Sequence, residues 1–388
     1  MVNITKIGCI FYNILVCYWM KEEDLVEKKR ILIFSEAFGA GHTKVATAIR
    51  EEIQLLFPNW DVFVYEIGKE LHPLRHHWFV NSYLKLLELS PHVWGRLYHW
   101  RQYRPLRPEV ETLLHQVFYS KILSFLQKHQ PDIVVCTHPF PSAAISYIKR
   151  QGVRVPLYTV ITDYGVHGSW ISSGVDRYYV PTWESYQKLL HLGVPSENIL
   201  VSGLPVHPKF YIKQHKEEAR YRLGVAQLPT LLMMGGGNGF GLSLKLLDTL
   251  LPFRHQLQVM IVTGKNRSLY KEFAKHPLMQ SPNCYLYGYV EQIETLMDAA
   301  DFILTKPGGV TCTEAIIKGI PLLFYQPLPG QEEENMDYFV SKGYGIHVES
   351  PKHMEMILRY VLENALFNQY EQEGIHFLTP LRLAATLA

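Results

Sequence analysis

The sequence predicts an α/β protein made of two doubly wound domains. Three observations carry this: a length of 388 residues, short β-branched and aromatic runs alternating with longer helical patterns, and a restart of that alternation near mid-chain. The length exceeds one ordinary domain and leaves each of two enough residues for its own core. Apolar residues make up 47% and charged residues 19%, with Gly and Pro scattered singly. That composition excludes disordered, collagenous and low-complexity classes.

The first series of predicted strands covers 31–34, 62–65, 133–136, 158–161, 178–180 and 199–202, and the second 231–234, 259–262, 285–287, 302–304 and 322–325. Between them, residues 203–220 (GLPVHPKFYIKQHKEEAR) combine a glycine, two prolines and a charged run, as a linker would. Placing the boundary near Pro208 gives domains 30–207 and 208–388, with the last helix a candidate to pack back on the first domain. Sheets wound this way bind ligands beyond the carboxyl ends of their strands, so motifs that follow strands should meet in a cleft.

Ahead of both domains, residues 7–20 (IGCIFYNILVCYWM) are apolar but shorter than the roughly 20 residues of a spanning helix. Lys6 is the only positive charge before them and KEED follows, unlike a signal peptide. Residues 1–29 are therefore expected to be a poorly ordered leader or a membrane-surface segment. A net charge of +2 signals no polyanionic partner. Cys9, Cys17, Cys136, Cys284 and Cys312 are odd in number and lack CxxC spacing, so neither a disulfide framework nor a zinc site is expected. A reducing cytoplasm is the simplest home.

SEAFGAGHTKVATAIREEI begins at Ser35, where a strand ends; Gly39 and Gly41 allow a tight turn, and Val45, Ala46, Ile49, Ile53 and Leu56 recur at helical spacing. His42 then falls near a helix N-terminus, which disfavours imidazolium and keeps the ring able to accept a proton. With 18 histidines in the chain, an ordinary turn histidine is the plainer alternative.

In LLMMGGGNGFG, 231–241, glycines after a strand bring backbone N–H groups close to phosphate, with Gly237, Asn238 and Gly239 at the tip. A purely structural turn is the alternative. Neither GxGxxG nor GK[ST] is present, which counts against nicotinamide and ATP sites. Further on, in KPGGVTCTEAIIKGIPLLFYQPLPGQEEEN, 306–335, Gly308 and Gly309 form a turn before a helix carrying Thr311, Thr313 and Glu314. Amides at that N-terminus suit a diphosphate, and Glu314 can accept hydrogen bonds from both ribose hydroxyls. Gln331 and Glu332, expected in a turn after a buried strand, could grip sugar hydroxyls. No DxD sequence occurs, so a metal-bridged diphosphate is not implied and no metal site is expected.

With HPF at His138, TDYGVHGSW at Thr162, VSGLPVHPKF at Val201 and GYVEQIETLMDAADFILTKPGG at Gly288, these motifs stand in the order of a known family. From about Ile31 to Val348 the chain resembles the GT-B glycosyltransferases of family 28. These include monogalactosyldiacylglycerol synthases, processive diacylglycerol glucosyltransferases and, more distantly, the peptidoglycan GlcNAc transferase. The resemblance implies two Rossmann-like domains facing each other across a cleft, an acceptor and membrane-binding domain first and a UDP-sugar donor domain second. His42 would be the base of an inverting transfer of a hexose from UDP to a diacylglycerol-like or glycolipid acceptor. The Val290 backbone would read uracil and Glu314 hold ribose. The Gly237, Asn238 and Gly239 loop and the Gly309 helix would hold diphosphate and Gln331 with Glu332 the hexose, with Gly308, Thr311, Thr313 and Asn335 also in the donor site. Asn238 stands where the plant enzymes have an acidic residue. Gly41, His138, Asp163, His167 and Trp170 would face the acceptor, with Val166 and His167 altering an aspartate-rich neighbourhood. No cofactor is implied beyond the UDP-sugar donor substrate.

Residues 70–108 interleave Trp78, Phe79, Tyr83, Trp94, Tyr98, Trp100 and Tyr103 with Arg75, Lys85, Arg96, Arg101, Arg104 and Arg107, against only Glu70 and Glu88. Interfacial aromatics with cations suit an anionic bilayer; single-stranded nucleic acid or a plain helical core with solvated arginines would use similar residues. The family's lipid acceptor favours the membrane, with Trp94, Arg96, Trp100 and Arg101 as contacts and no nucleic acid as partner. A cytoplasmic protein peripherally bound to the cell membrane is expected. The rivals are a UDP-sugar epimerase or hydrolase on the same scaffold and a non-catalytic UDP-sugar-binding membrane-surface protein.

Overall fold

A computed structural model describes residues 27–90, 95, 96, 98, 99 and 108–363. Of the expected membrane contacts, Trp94, Trp100 and Arg101 lie outside the described residues, as do nearly all of the leader and any helix after residue 363 that would return to the first domain.

The first sheet is formed by β1 (Arg30–Ser35), β2 (Asp61–Glu66), β3 (Ile133–Cys136), β4 (Leu157–Val160), β5 (Arg177–Val180) and β6 (Ile199–Val201), in the order β2-β1-β3-β4-β5-β6. The second contains β7 (Thr230–Met234), β8 (Gln258–Val262), β9 (Cys284–Tyr287), β10 (Phe302–Thr305), β11 (Leu322–Tyr325) and β12 (Gly345–Val348), ordered β12-β11-β10-β7-β8-β9. Every pairing is parallel, with Ile33 opposite Val64 and Val135, and Leu304 opposite Met233 and Leu323. Central strands such as ILIF and LLMM are apolar on both faces because helices cover both. All eleven strands expected from the sequence are present. β12 was not anticipated: GIHV is a half-exposed edge strand pairing only with β11, and it lacks the continuous apolar run that marks the others.

The charged run after Pro208 is no linker. Residues Lys216–Leu223 form a helix docked on the second domain, where Arg220 is buried and donates to Asp301 at 2.6 Å and to the Ala299 carbonyl at 3.0 Å. Asp301 also accepts from the Thr230 amide at 2.7 Å, so one buried carboxylate ties this helix to the start of β7. What reads as solvated charge is a desolvated pair with satisfied lone pairs.

In each sheet the strand order reverses beside its first strand, between β1 and β3 and between β7 and β10. These switch points are where the strand-following turns open a ligand crevice. The two crevices face each other. A Cβ added to Gly237, after β7, would meet Ala40 at 3.5 Å, and one added to Gly309, after β10, would stand 2.6 Å from the Thr162 carbonyl. One core runs through the junction, including Val45 and Ile49 of the first domain with Val310, Ala315 and Met336 of the second.

Candidate active site

His42 lies in the first turn of the Ala40–Leu56 helix, directly after β1, with no capping side chain and no acid in that turn. Its Nδ1 is 2.8 Å from the Thr137 carbonyl, just past β3, and 2.9 Å from Thr162 Oγ1. The carbonyl can only accept, so Nδ1 carries the proton and Nε2 keeps its lone pair. Desolvation lowers the imidazole to about 4, with the Thr137 hydrogen bond opposing the shift. The ring is therefore neutral across physiological pH.

Behind it, His138 packs edge-on at 4.6 Å and Trp170 lies 6.2 Å away. His138 caps the Pro139–Arg150 helix by accepting from the Phe140 amide, and desolvation, reinforced by His42 and His76, lowers its imidazole well below the usual range. His138, Asp163 and Trp170 are all buried. Gly41 faces Val310 across the junction, and Arg96 is exposed.

Opposite His42, the Gly309–Lys318 helix begins without a capping side chain or an acidic residue in its first turn, which leaves its leading amides for an anion. A larger residue at Gly309 would strike Thr162, so this N-terminus approaches the first domain only because it has no side chain. In the glycine loop, Gly239 takes φ +70° with the space for a Cβ occupied by Leu269 at 2.7 Å, which fixes the turn that displays Gly237 and Asn238. Lys306, at the end of β10, stands beside Gly236 and pairs with Glu332.

Glu314 is 2% exposed. Its Oε1 accepts from Lys44 of the first domain at 3.4 Å, while Oε2 has no hydrogen-bond partner among the described residues. Desolvation raises its carboxyl above the usual range and Lys44 opposes that. A buried acceptor without a donor is costly. Val290 lines a cavity of about 280 Å³ with Arg222, Tyr287, Gln292 and Thr295. Thr311 is half-buried at the same helix start.

Several expected donor contacts are held otherwise. The Thr313 hydroxyl donates to Gly309 O at 2.7 Å and lies 2.8 Å from Tyr164 OH, at the domain junction. Asn335 is fully buried; it accepts from the Tyr164 amide at 2.8 Å and donates to Pro307 O at 3.0 Å and Asp163 at 3.4 Å, pinning the first domain's turn to the second. Gln331 and Glu332 open the Gln331–Ser341 helix and do not sit in a turn; Gly330 precedes it, and Glu333 reaches back to accept from the Gly330 amide at 2.9 Å. Glu332 accepts from the Leu328 amide at 2.9 Å. Desolvation raises Asp163 to about 7; its Asn335 hydrogen bond opposes this, and Glu332 and Glu334 add to it.

The sequence reading missed Thr137, Thr162, Lys44 and Lys306 as site residues. Lys306 alone had a signal, its place in KPGG after a strand.

Glu36, at the end of β1, is fully buried and accepts from His76 Nε2 at 2.5 Å, Tyr119 OH at 2.7 Å and the Gly68 amide at 2.9 Å. It anchors the Pro73–Leu89 helix to the turn that carries His42. Removing one member of such a cluster leaves the rest unpaired, so Glu36→Ala should lose about 3–5 kcal/mol of stability. Urea unfolding followed by circular dichroism measures this.

Facing switch points thus set a neutral histidine on one side of the cleft and an uncapped helix with a buried, incompletely paired carboxylate on the other. Residues 42–206 match the family model for monogalactosyldiacylglycerol (MGDG) synthase, and residues 230–377 the glycosyltransferase family 28 C-terminal domain. The chain belongs to this glycosyltransferase family. Relatives include processive diacylglycerol β-glucosyltransferases of Bacillus licheniformis, 31% identical over 333 residues, and Bacillus subtilis, 31% identical over 339, each match covering 85% of both chains. Among solved structures, the S. aureus MnaA–UDP complex has a TM-score of 0.56 at 14% identity, covering 92% of this chain and 91% of that one. The UDP-GlcNAc 2-epimerase from Neisseria meningitidis bound to UDP-GlcNAc also has 0.56, at 17% identity, covering 92% and 99%. At such identities the likeness is one of fold.

Proposed function

We propose that this chain is an inverting transferase that moves a hexose from a UDP-sugar to the hydroxyl of a diacylglycerol-like or glycolipid acceptor at the cytoplasmic membrane surface. One observation carries the reading: His42, neutral with Nε2 free, faces across one cleft the Gly309 helix start and the unpartnered Glu314 oxygen. His42 takes the proton of the acceptor hydroxyl as its oxygen attacks the anomeric carbon. The helix amides and Lys306 stabilise the charge that develops on the departing UDP. Glu314 holds the ribose, the Val290 backbone the uracil, and Gln331 with Glu332 the hexose. This chemistry needs no cofactor. Relatives named for diacylglycerol glucosylation and neighbours holding UDP support the substrate classes. The test is UDP release from a panel of UDP-hexoses, with and without diacylglycerol vesicles. Release that depends on the lipid supports the proposal, and release indifferent to it overturns the acceptor assignment.

No helix among the described residues is long and apolar enough to cross a membrane. The Pro73–Leu89 helix instead exposes Leu74 (87%) and Trp78 (72%) one turn apart, beside exposed Arg75 and Lys85. Apolar anchors flanked by cations fit an anionic bilayer surface. The double substitution Leu74→Ser and Trp78→Ser should weaken flotation with vesicles containing an anionic lipid at least tenfold, since each buried side chain contributes about 1.5–3 kcal/mol. UDP affinity should stay unchanged.

A further inference from the structure

Gly95, Tyr98 and His99 of the first domain interlock with residues 329–334 of the second, the stretch that opens the Gln331–Ser341 helix. A Cβ on Gly95 would stand 2.7 Å from Pro329 Cβ, and one on Gly330, itself at φ +97°, would stand 2.7 Å from the Tyr98 ring. Each domain therefore places a glycine where the other brings a ring. Tyr98 is 6% exposed, its hydroxyl lies 3.5 Å from Glu334 Oε2, and Lys188 reaches the other oxygen of Glu334 at 3.5 Å. His99 lies 3.6 Å from Glu333, the residue whose carboxylate holds the Gly330 amide at 2.9 Å.

His167 explains how Tyr98 is held. Its Nδ1 accepts from the Ser169 amide at 3.1 Å, so Nε2 carries the proton and donates to the Tyr98 carbonyl at 3.2 Å, with the two rings 4.5 Å apart. The GVHGSW turn, which also brings Trp170 to His42, thus supports the segment that presses on the donor side. This contact joins the aromatic-basic stretch of the acceptor domain to the turn that opens beside Gln331 and Glu332.

We propose that Tyr98 is a positioning residue for the start of the Gln331–Ser341 helix, clasping residues 329–334 from the first domain so that the hexose is held for attack only while the two segments are engaged. The inference rests on the reading that Gln331 and Glu332 hold the hexose. A membrane-facing stretch would then influence the donor site through packing, without touching the nucleotide.

The test compares Tyr98→Ala, Tyr98→Phe and Gly95→Ala in the full chain, by amide hydrogen exchange over residues 330–335, UDP affinity, and steady-state kinetics with UDP-hexose and lipid. Tyr98→Ala is expected to speed exchange in that stretch at least tenfold and lower kcat/KM for UDP-hexose about tenfold, with UDP affinity within twofold of the parent. Tyr98→Phe, which keeps the ring over Gly330, should recover most of both. Gly95→Ala, which adds a methyl against Pro329 and removes no contacting side chain, should act in the same direction as Tyr98→Ala and serves if that variant does not fold. Unchanged exchange at 330–335, or faster exchange with unaltered kcat/KM, overturns the proposal. Equal losses in UDP affinity and kcat/KM overturn it too, because they indicate general damage to the donor domain. If the parent chain consumes no UDP-hexose, the transferase reading itself fails, an outcome visible before any variant is compared.

Discussion

His42→Ala should lower turnover of UDP-hexose about 10²–10⁴-fold, the range for loss of a positioned general base, with UDP affinity nearly unchanged. The ring belongs to the first domain, where Thr137 and Thr162 hold it, while the groups proposed to bind the nucleotide belong to the second. Steady-state kinetics paired with UDP titration calorimetry check this, and near-normal turnover would remove His42 from the chemistry. The pH profile adds a second reading. His42 is lowered to about 4, so kcat/KM should not decline through this group between pH 8 and pH 5. An inflection near 7 would belong to Asp163, raised to about 7, and should vanish in Asp163→Asn. The linked effects on stability have opposite signs. The depressed His42 favours folding above its ordinary 6.5 and loses that contribution as pH falls toward 4. The raised Asp163 favours folding at low pH and loses its contribution as pH rises through about 7.

Glu314→Gln should cost about 1.5–3 kcal/mol of UDP binding, the value of hydrogen bonds to a charged group, or about ten- to a hundredfold in affinity. The same substitution should leave stability unchanged or raise it, because it neutralises a buried carboxylate whose Oε2 has no partner. That pairing of lost binding with retained folding distinguishes a site held ready for a ligand from a structural residue. Calorimetry with UDP and a thermal melt measure the two halves. Full UDP affinity in the variant would place the ribose elsewhere.

The fold was legible because its signals are local. Eleven strands are short apolar runs, and the glycine turns at Gly39, Gly235 and Gly308 follow the strands that flank the switch points. The pairing of residues across the cleft was not legible. Lys44 meets Glu314 across 270 positions, and Asn335 meets Tyr164 across 171, distances over which periodicity carries no information. The same limit explains Asn335 and Thr313. As sequence they sit in a donor motif, but the structure engages them in holding the domains together. Arg220 looked like part of a charged linker because a sequence shows charge without its partner; Asp301 supplies the partner.

The central claim is transfer from UDP to a lipid hydroxyl, and the most direct test follows the sugar itself. The chain is incubated with UDP-hexose radiolabelled in the sugar and with diacylglycerol vesicles, and the products are partitioned between organic solvent and water. Label is expected in the organic phase, at the expense of donor, for the parent chain and almost none for His42→Ala. Donor consumed with all label left in the water would contradict the claim and indicate an epimerase or hydrolase on the same two-domain scaffold.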